Sequence, residues 1–167
     1  IANNVFNHAN NPSDFMIAVA QMLDKDGLFV FEVPYWLHTI RDKRFDQIYH
    51  EHVTYFTVKY AFGLLRKHGF EISQIKVVDY HGGSLRIFAR KKDKIKMNEA
   101  IKGMIEKEKS MKLFNPVTYR GFMNVLKKDR NAFMSRIYQI KNEGFSIIGV
   151  GAAAKANTFL NFYNLPF

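Results

Sequence analysis

The order of local preferences along the chain predicts an α/β fold, a helix-covered parallel sheet that finishes in an antiparallel hairpin. Three observations lead there. Residues 28–33 form a short, almost continuous apolar run, the pattern of a strand buried on both faces. Stretches of helical period flank it on either side. Two further strand-like runs, 71–79 and 84–89, are joined by Tyr80-His81-Gly82-Gly83, and so short a glycine connection makes antiparallel neighbours.

Each element follows from its residues. Asn4-Val5-Phe6-Asn7 reads as the end of a strand. Asn11-Pro12-Ser13-Asp14 starts a helix, with an Asn cap, Pro at the first helical position and an acid in the first turn. Phe15, Val19, Met22 and Leu23 recur at helical spacing up to Asp26-Gly27. Pro34 is expected to stop the buried strand, and residues 35–56, rich in aromatics, His and charge, show no clean period. Thr57 caps a second helix carrying Val58, Ala61, Phe62, Leu64 and Leu65, closed by Gly69. Residues 94–112 and 117–142 both have helical spacing, with Asn115-Pro116 between them. In the second, Phe122, Val125, Leu126, Phe133, Ile137 and Ile140 form the apolar stripe. After Gly144, residues 145–150 read as a buried strand, and Gly149 and Gly151 turn it into a helix at Lys155. A strand, a glycine turn and a helix start can cradle a phosphate on free backbone N–H groups.

Composition narrows the function classes. The 167 residues hold 25 Lys and Arg against 15 Asp and Glu, a net charge of +10. Residues 90–141 contain 15 of the basic and 5 of the acidic side chains, so the remainder, with 10 of each, is neutral. The excess therefore reads as a solvated helical face. Without interleaved aromatics on a basic strand or a recognition motif, no nucleic-acid partner is expected. The absence of cysteine excludes a disulfide framework, a thiol nucleophile and a thiolate zinc site. No run of 18 apolar residues occurs and residues 1–20 lack the order of a signal peptide, so no membrane partner and a cytoplasmic location are expected. Opening on Ile1 inside a strand end, the sequence reads as a piece of a longer protein.

The densest polar cluster is Asp46-Gln47-Ile48-Tyr49-His50-Glu51-His52, in the loop after the buried strand. Catalytic groups of open α/β sheets collect at the carboxyl ends of strands. His is a base near neutral pH, a carboxylate orients it, and Tyr donates to a developing oxyanion. His8 and His81 also fall at strand ends. The plainer alternatives stand beside these. Asp46 and Glu51 can pair with Arg41, Lys43 or Arg44; Lys155 can face solvent; Asn157 and Thr158 can be an ordinary first turn. His50-x-His52 has no second compact ligand pair, so no metal site is assigned.

Three stretches in order are more specific than any one of them. They are Phe45-Asp46-Gln47-Ile48-Tyr49-His50-Glu51-His52, then His81-Gly82-Gly83-Ser84-Leu85-Arg86, then Gly149-Val150-Gly151-Ala152-Ala153-Ala154-Lys155-Ala156-Asn157-Thr158. Together they resemble the S-adenosylmethionine-dependent sugar C-methyltransferases, the NDP-hexose C-methyltransferases of deoxysugar biosynthesis. The opening Asn4-Val5-Phe6-Asn7-His8 is similar to that family's segment after the fourth sheet strand.

The resemblance implies that residues 1–90 are the second half of a class I methyltransferase (Rossmann-like) sheet. It makes 91–144 a helical connection and 145–167 the start of a C-terminal α/β substrate-binding domain. The family's Cys-rich zinc module and its glycine-rich cofactor loop have no counterpart in this sequence. Its chemistry removes a proton beside a keto group of a nucleotide-linked sugar and methylates the resulting enolate. By resemblance His52 is the base, with Glu51 and Tyr49 positioning it or stabilising the enolate, and His8 the competing base. Asn4 is expected near the cofactor S-adenosylmethionine. Lys155, Asn157, Thr158 and His81 are expected at the nucleotide-sugar substrate, with Lys155 meeting its diphosphate. His50 takes the open position of Tyr-x-Glu-His and has no role assigned. The competing expectation is a catalytically silent structural or binding fragment, self-associating into a homo-oligomer through an exposed strand edge.

Overall fold

A computed structural model describes residues 1–151, 153 and 155–165. Its centre is a four-stranded sheet of order β1-β2-β4-β3, built from β1 (Ala2–Asn3), β2 (Phe29–Pro34), β3 (Phe70–Val78) and β4 (Ser84–Lys91). β1 runs parallel to β2, and β4 runs antiparallel to both β2 and β3. The hairpin β3–β4 is thus folded back, so that its second strand lies inside the sheet. This mixed α/β arrangement is that of a class I methyltransferase-like fold.

Alternation along β2 decides which face is dry. Phe29, Phe31 and Val33 are buried in the core, where they meet Leu85, Ile87 and Ala89 of β4. The other face carries Val30, Glu32 and Pro34 and is covered incompletely, which corrects the expectation of a strand buried on both sides. Glu32 on that face is nonetheless buried, and the Arg86 Nε opposite it in register donates to its carboxylate at 2.8 Å. Pro34 ends β2 as expected, and is itself the strand's last residue, opposite Ser84.

Two helices cover the dry face, α1 (Pro12–Met22) and α3 (Val58–Lys67). The expected caps form: Asn11 Oδ1 accepts from the Ser13 N–H at 3.0 Å, and Thr57 Oγ1 from the Tyr60 N–H at 3.0 Å. Gly69 follows α3 with φ +78°, the left-handed conformation that glycine adopts without cost. In α1 the core residue is Met16, flanked by Phe15 and Val19, whereas Met22 points to solvent. Phe6 locks β1's exit into this layer, stacking on Phe15 at 4.4 Å and touching Phe31 and Phe56, each at 5.2 Å between ring centroids.

The region 35–56 is more ordered than its composition suggests. It holds the short helix α2 (Trp36–Arg41) and a 3₁₀ turn, Phe45–Gln47. Beyond the sheet come α4 (Glu99–Ser110), α5 (Pro116–Asn142) and α6 (Lys155–Tyr163). α4 docks on α3 through Glu108, a fully buried carboxylate that accepts from the Val58 N–H at 2.5 Å and the Lys59 N–H at 3.2 Å. The helix start supplies the donors and a positive dipole end, which offset part of the cost of burying the charge.

Residues 145–150 are irregular, exposed and unpaired, not a buried strand. No neighbouring strand among the described residues meets their N–H and C=O groups, and a β-run without such a partner does not form a ladder. The strand half of the expected phosphate cradle is therefore missing, and its Ala152 and Ala154 lie outside the described residues, as do Pro166 and Phe167. Within the described residues, no helix is long and apolar enough to cross a membrane.

Candidate active site

Because β1 and β2 are parallel, the loops leaving them start at the same edge of the sheet. The Thr54 N–H donates to the Asn7 carbonyl at 3.0 Å and ties the two loops together. His8, at the end of a 3₁₀ turn after β1, thereby comes to His52, with ring centroids 5.1 Å apart and planes nearly perpendicular. Tyr49 packs against His52 at 4.3 Å. Three of the four expected catalytic side chains are thus in one cluster, with Glu51 exposed at its margin.

The protonation of His52 follows from its partner. Its Nδ1 lies 2.8 Å from the Gln47 carbonyl oxygen. A carbonyl only accepts, so Nδ1 carries the proton and Nε2 is left with its lone pair. Burial lowers the imidazole's pKa below its ordinary value, and the charges of His8 and Lys155 lower it further, against the Gln47 carbonyl and Glu51. His52 is accordingly a neutral imidazole at pH 7. Burial, and then the charge of Glu51, push the Tyr49 hydroxyl up, so it remains a proton donor.

Asn4 takes the left-handed conformation (φ +52°) where β1 ends, its N–H donating to the Glu32 carbonyl at 2.8 Å. Its Oδ1 is buried without a partner among the described residues. The same is true of both amide atoms of Asn7 and of Gln47, residues only 2% exposed. Asn7 and Gln47 lie inside the motifs that carry the resemblance, which assigns them no role. The available signal was an amide residue beside each histidine-bearing loop.

His81 is exposed at the hairpin turn (φ +50°), beside the carboxyl end of β2. Its pKa is lowered by partial desolvation against the turn and by the nearby positive charges of Lys155 and Arg44. Gly83 of the same turn is left-handed (φ +109°), and a Cβ there would sit 2.0 Å from the His38 Nδ1. Only glycine fits. Lys155, at the start of α6, is paired with Asp46 at 3.3 Å. On α6 Asn157 is exposed and Thr158 half-buried. A groove of about 750 Å³ beside them is lined by Asp46, Lys155, Phe133, Ile137 and Phe159 among others. His50 is exposed. Among the described residues no three His, Asp or Glu side chains converge to hold a metal.

With this geometry in place, comparison with known proteins decides the family. Residues 79–166 match the model of the C-methyltransferase C-terminal domain, more than half of the chain. The chain belongs to the C-methyltransferase family. Residues 1–75 match a methyltransferase domain model, so the histidine loop falls in this domain and Lys155 in the C-terminal one. A curated relative, C-methyltransferase NovU of Streptomyces niveus, is 29% identical over 156 residues. That alignment covers 93% of this chain and 37% of the relative, so the chain spans little more than a third of the relative's length.

Proposed function

We propose that the protein containing this chain transfers a methyl group from S-adenosylmethionine to a carbon of a nucleotide-linked keto-deoxysugar, after base-catalysed enolate formation. The observation that carries this reading is His52: neutral, held through Nδ1, its Nε2 without a partner among the described residues, and flanked by Tyr49 and His8 at the carboxyl edge of the sheet.

In this reading Nε2 of His52 takes the acidified proton from the carbon beside the keto group, and the C–H electron pair passes into the enolate. Tyr49, kept protonated, donates to the enolate oxygen, where the new charge resides. The methyl donor's fit rests on Asn4, whose buried, unpartnered Oδ1 offers an acceptor to an ammonium or hydroxyl group. When bound, S-adenosylmethionine supplies the electrophilic methyl. Lys155, Asn157, Thr158 and His81 face the nucleotide sugar, and Lys155, held beside Asp46, meets the diphosphate.

The test measures release of S-adenosylhomocysteine by the full-length protein with a nucleotide-linked 4-keto sugar. His52→Ala is expected to slow turnover about 10²- to 10⁴-fold, the usual contribution of a positioned base. Undiminished turnover in His52→Ala with a collapse in His8→Ala transfers the role to His8. Undiminished turnover in both overturns the reading.

A further inference from the structure

We propose that α6 is a positioning element for His52: by packing on the Phe45–Gln47 turn it fixes which imidazole nitrogen carries the proton. The inference rests on the reading of His52 as the base.

The three residues of the turn are used in succession. The Phe45 ring packs on Phe162 at 4.5 Å and on Tyr163 at 6.0 Å. Asp46 receives Lys155 at 3.3 Å. The third residue, Gln47, turns its carbonyl to His52 Nδ1 at 2.8 Å. Two side chains reach out to α6 and one carbonyl reaches in to the base. α6 is itself held by α5, with Phe133 packed on Tyr163 at 4.6 Å and on Phe159 at 5.7 Å.

The chemical consequence lies in the tautomer. A neutral histidine side chain left to itself favours the proton on Nε2. A fixed acceptor at Nδ1 reverses that preference, and a hydrogen bond is steeply sensitive to distance and angle. If the turn drifts, Nε2 regains its proton and has no lone pair to offer a substrate. α6 therefore acts through Gln47 on the base and need not touch the reacting atoms. The arrangement makes the base available only when the element after the helical connection is docked.

Histidine ¹⁵N resonances read this directly. In the wild-type chain, His52 is expected to show a protonated Nδ1 and an unprotonated Nε2. Phe162→Ala is expected to shift the tautomer ratio about fivefold towards Nε2–H, the size of one net hydrogen bond. Phe162→Leu should retain the wild-type ratio. His68, whose Nε2 lies 2.8 Å from Ser13 Oγ on α1, reports on the rest of the fold and should not move. Should Phe162→Ala disturb His68, Asp46→Asn, which weakens only the ion pair, is expected to give the same shift in smaller size. An unaltered His52 tautomer in the variant that leaves His68 in place overturns the proposal. No methyl transfer is read, so a wrong assignment of the reaction leaves this result intact. An active-site loss in His52→Ala with an unmoved tautomer in Phe162→Ala sinks only the positioning role.

Discussion

The sheet region, residues 1–91, and the α5–α6 region treat apolar residues in opposite ways. In the sheet every large apolar residue of β2's core face, and those facing it from β4, is buried. In α5, 27 residues long, only Phe122 and Leu126 are buried, and Phe133 is 36% exposed. Ile148, in the unpaired stretch before α6, is 82% exposed. The same side-chain chemistry therefore stabilises one region and leaves the other resting on two residues and a few aromatic contacts. Burial by a partner, more than apolar content, is what stability follows.

That contrast can be broken on the sheet side first. Leu85→Ala, at a fully buried position, is expected to lower unfolding free energy by about 2–5 kcal/mol in denaturant titration. A loss below 1 kcal/mol contradicts the buried core. Next in size is the contact of α4 with α3. Glu108→Ala leaves the Val58 and Lys59 N–H groups without acceptors and should cost about 1–3 kcal/mol.

Glu108 also gives a pH signature. Burial raises its carboxyl pKa, against the N–H groups of Val58 and Lys59, the nearby Tyr35 hydroxyl and the Lys59 charge. A carboxyl raised on folding holds its proton more tightly in the native state than in the unfolded chain. Its contribution is therefore present in acid and lost as pH rises through the elevated value. Relative to Glu108→Gln, the wild-type melting temperature should fall across that window, and parallel melting curves for the two proteins would refute it. The smallest effect belongs to the exposed stretch. Ile148→Ser should change stability by no more than about 0.5 kcal/mol, and a larger loss would reveal that a surface covers it in solution.

Local chemistry, the β3–β4 hairpin included, is legible in the sequence, whereas pairing between strands distant in the chain is not. Asn11, Thr57 and Gly69 bound their helices as expected, because caps are decided within one turn of chain. The insertion of β4 between β2 and β3 has no local signal, since it depends on which strand edge is open. For the same reason residues 145–150 carry a strand's composition without a ladder. α2 has no local start signal, because its N-cap is Tyr35, which makes no side-chain cap. Within the site, the motif located His8, Tyr49 and His52, yet the Nδ1 contact to Gln47 needed three-dimensional structure. Asn7 and Gln47 were invisible as buried amides, because burial of a polar residue is set by what folds over it.

The single bond between the Thr54 N–H and the Asn7 carbonyl has a consequence for how the site tolerates change. It joins main chain to main chain, so no ordinary side-chain replacement at either position deletes it. The spacing of the two imidazoles is insulated from sequence drift at the residues that set it. Only proline at position 54 takes the donor away, which gives a way to separate His8 from His52 while both remain in the protein.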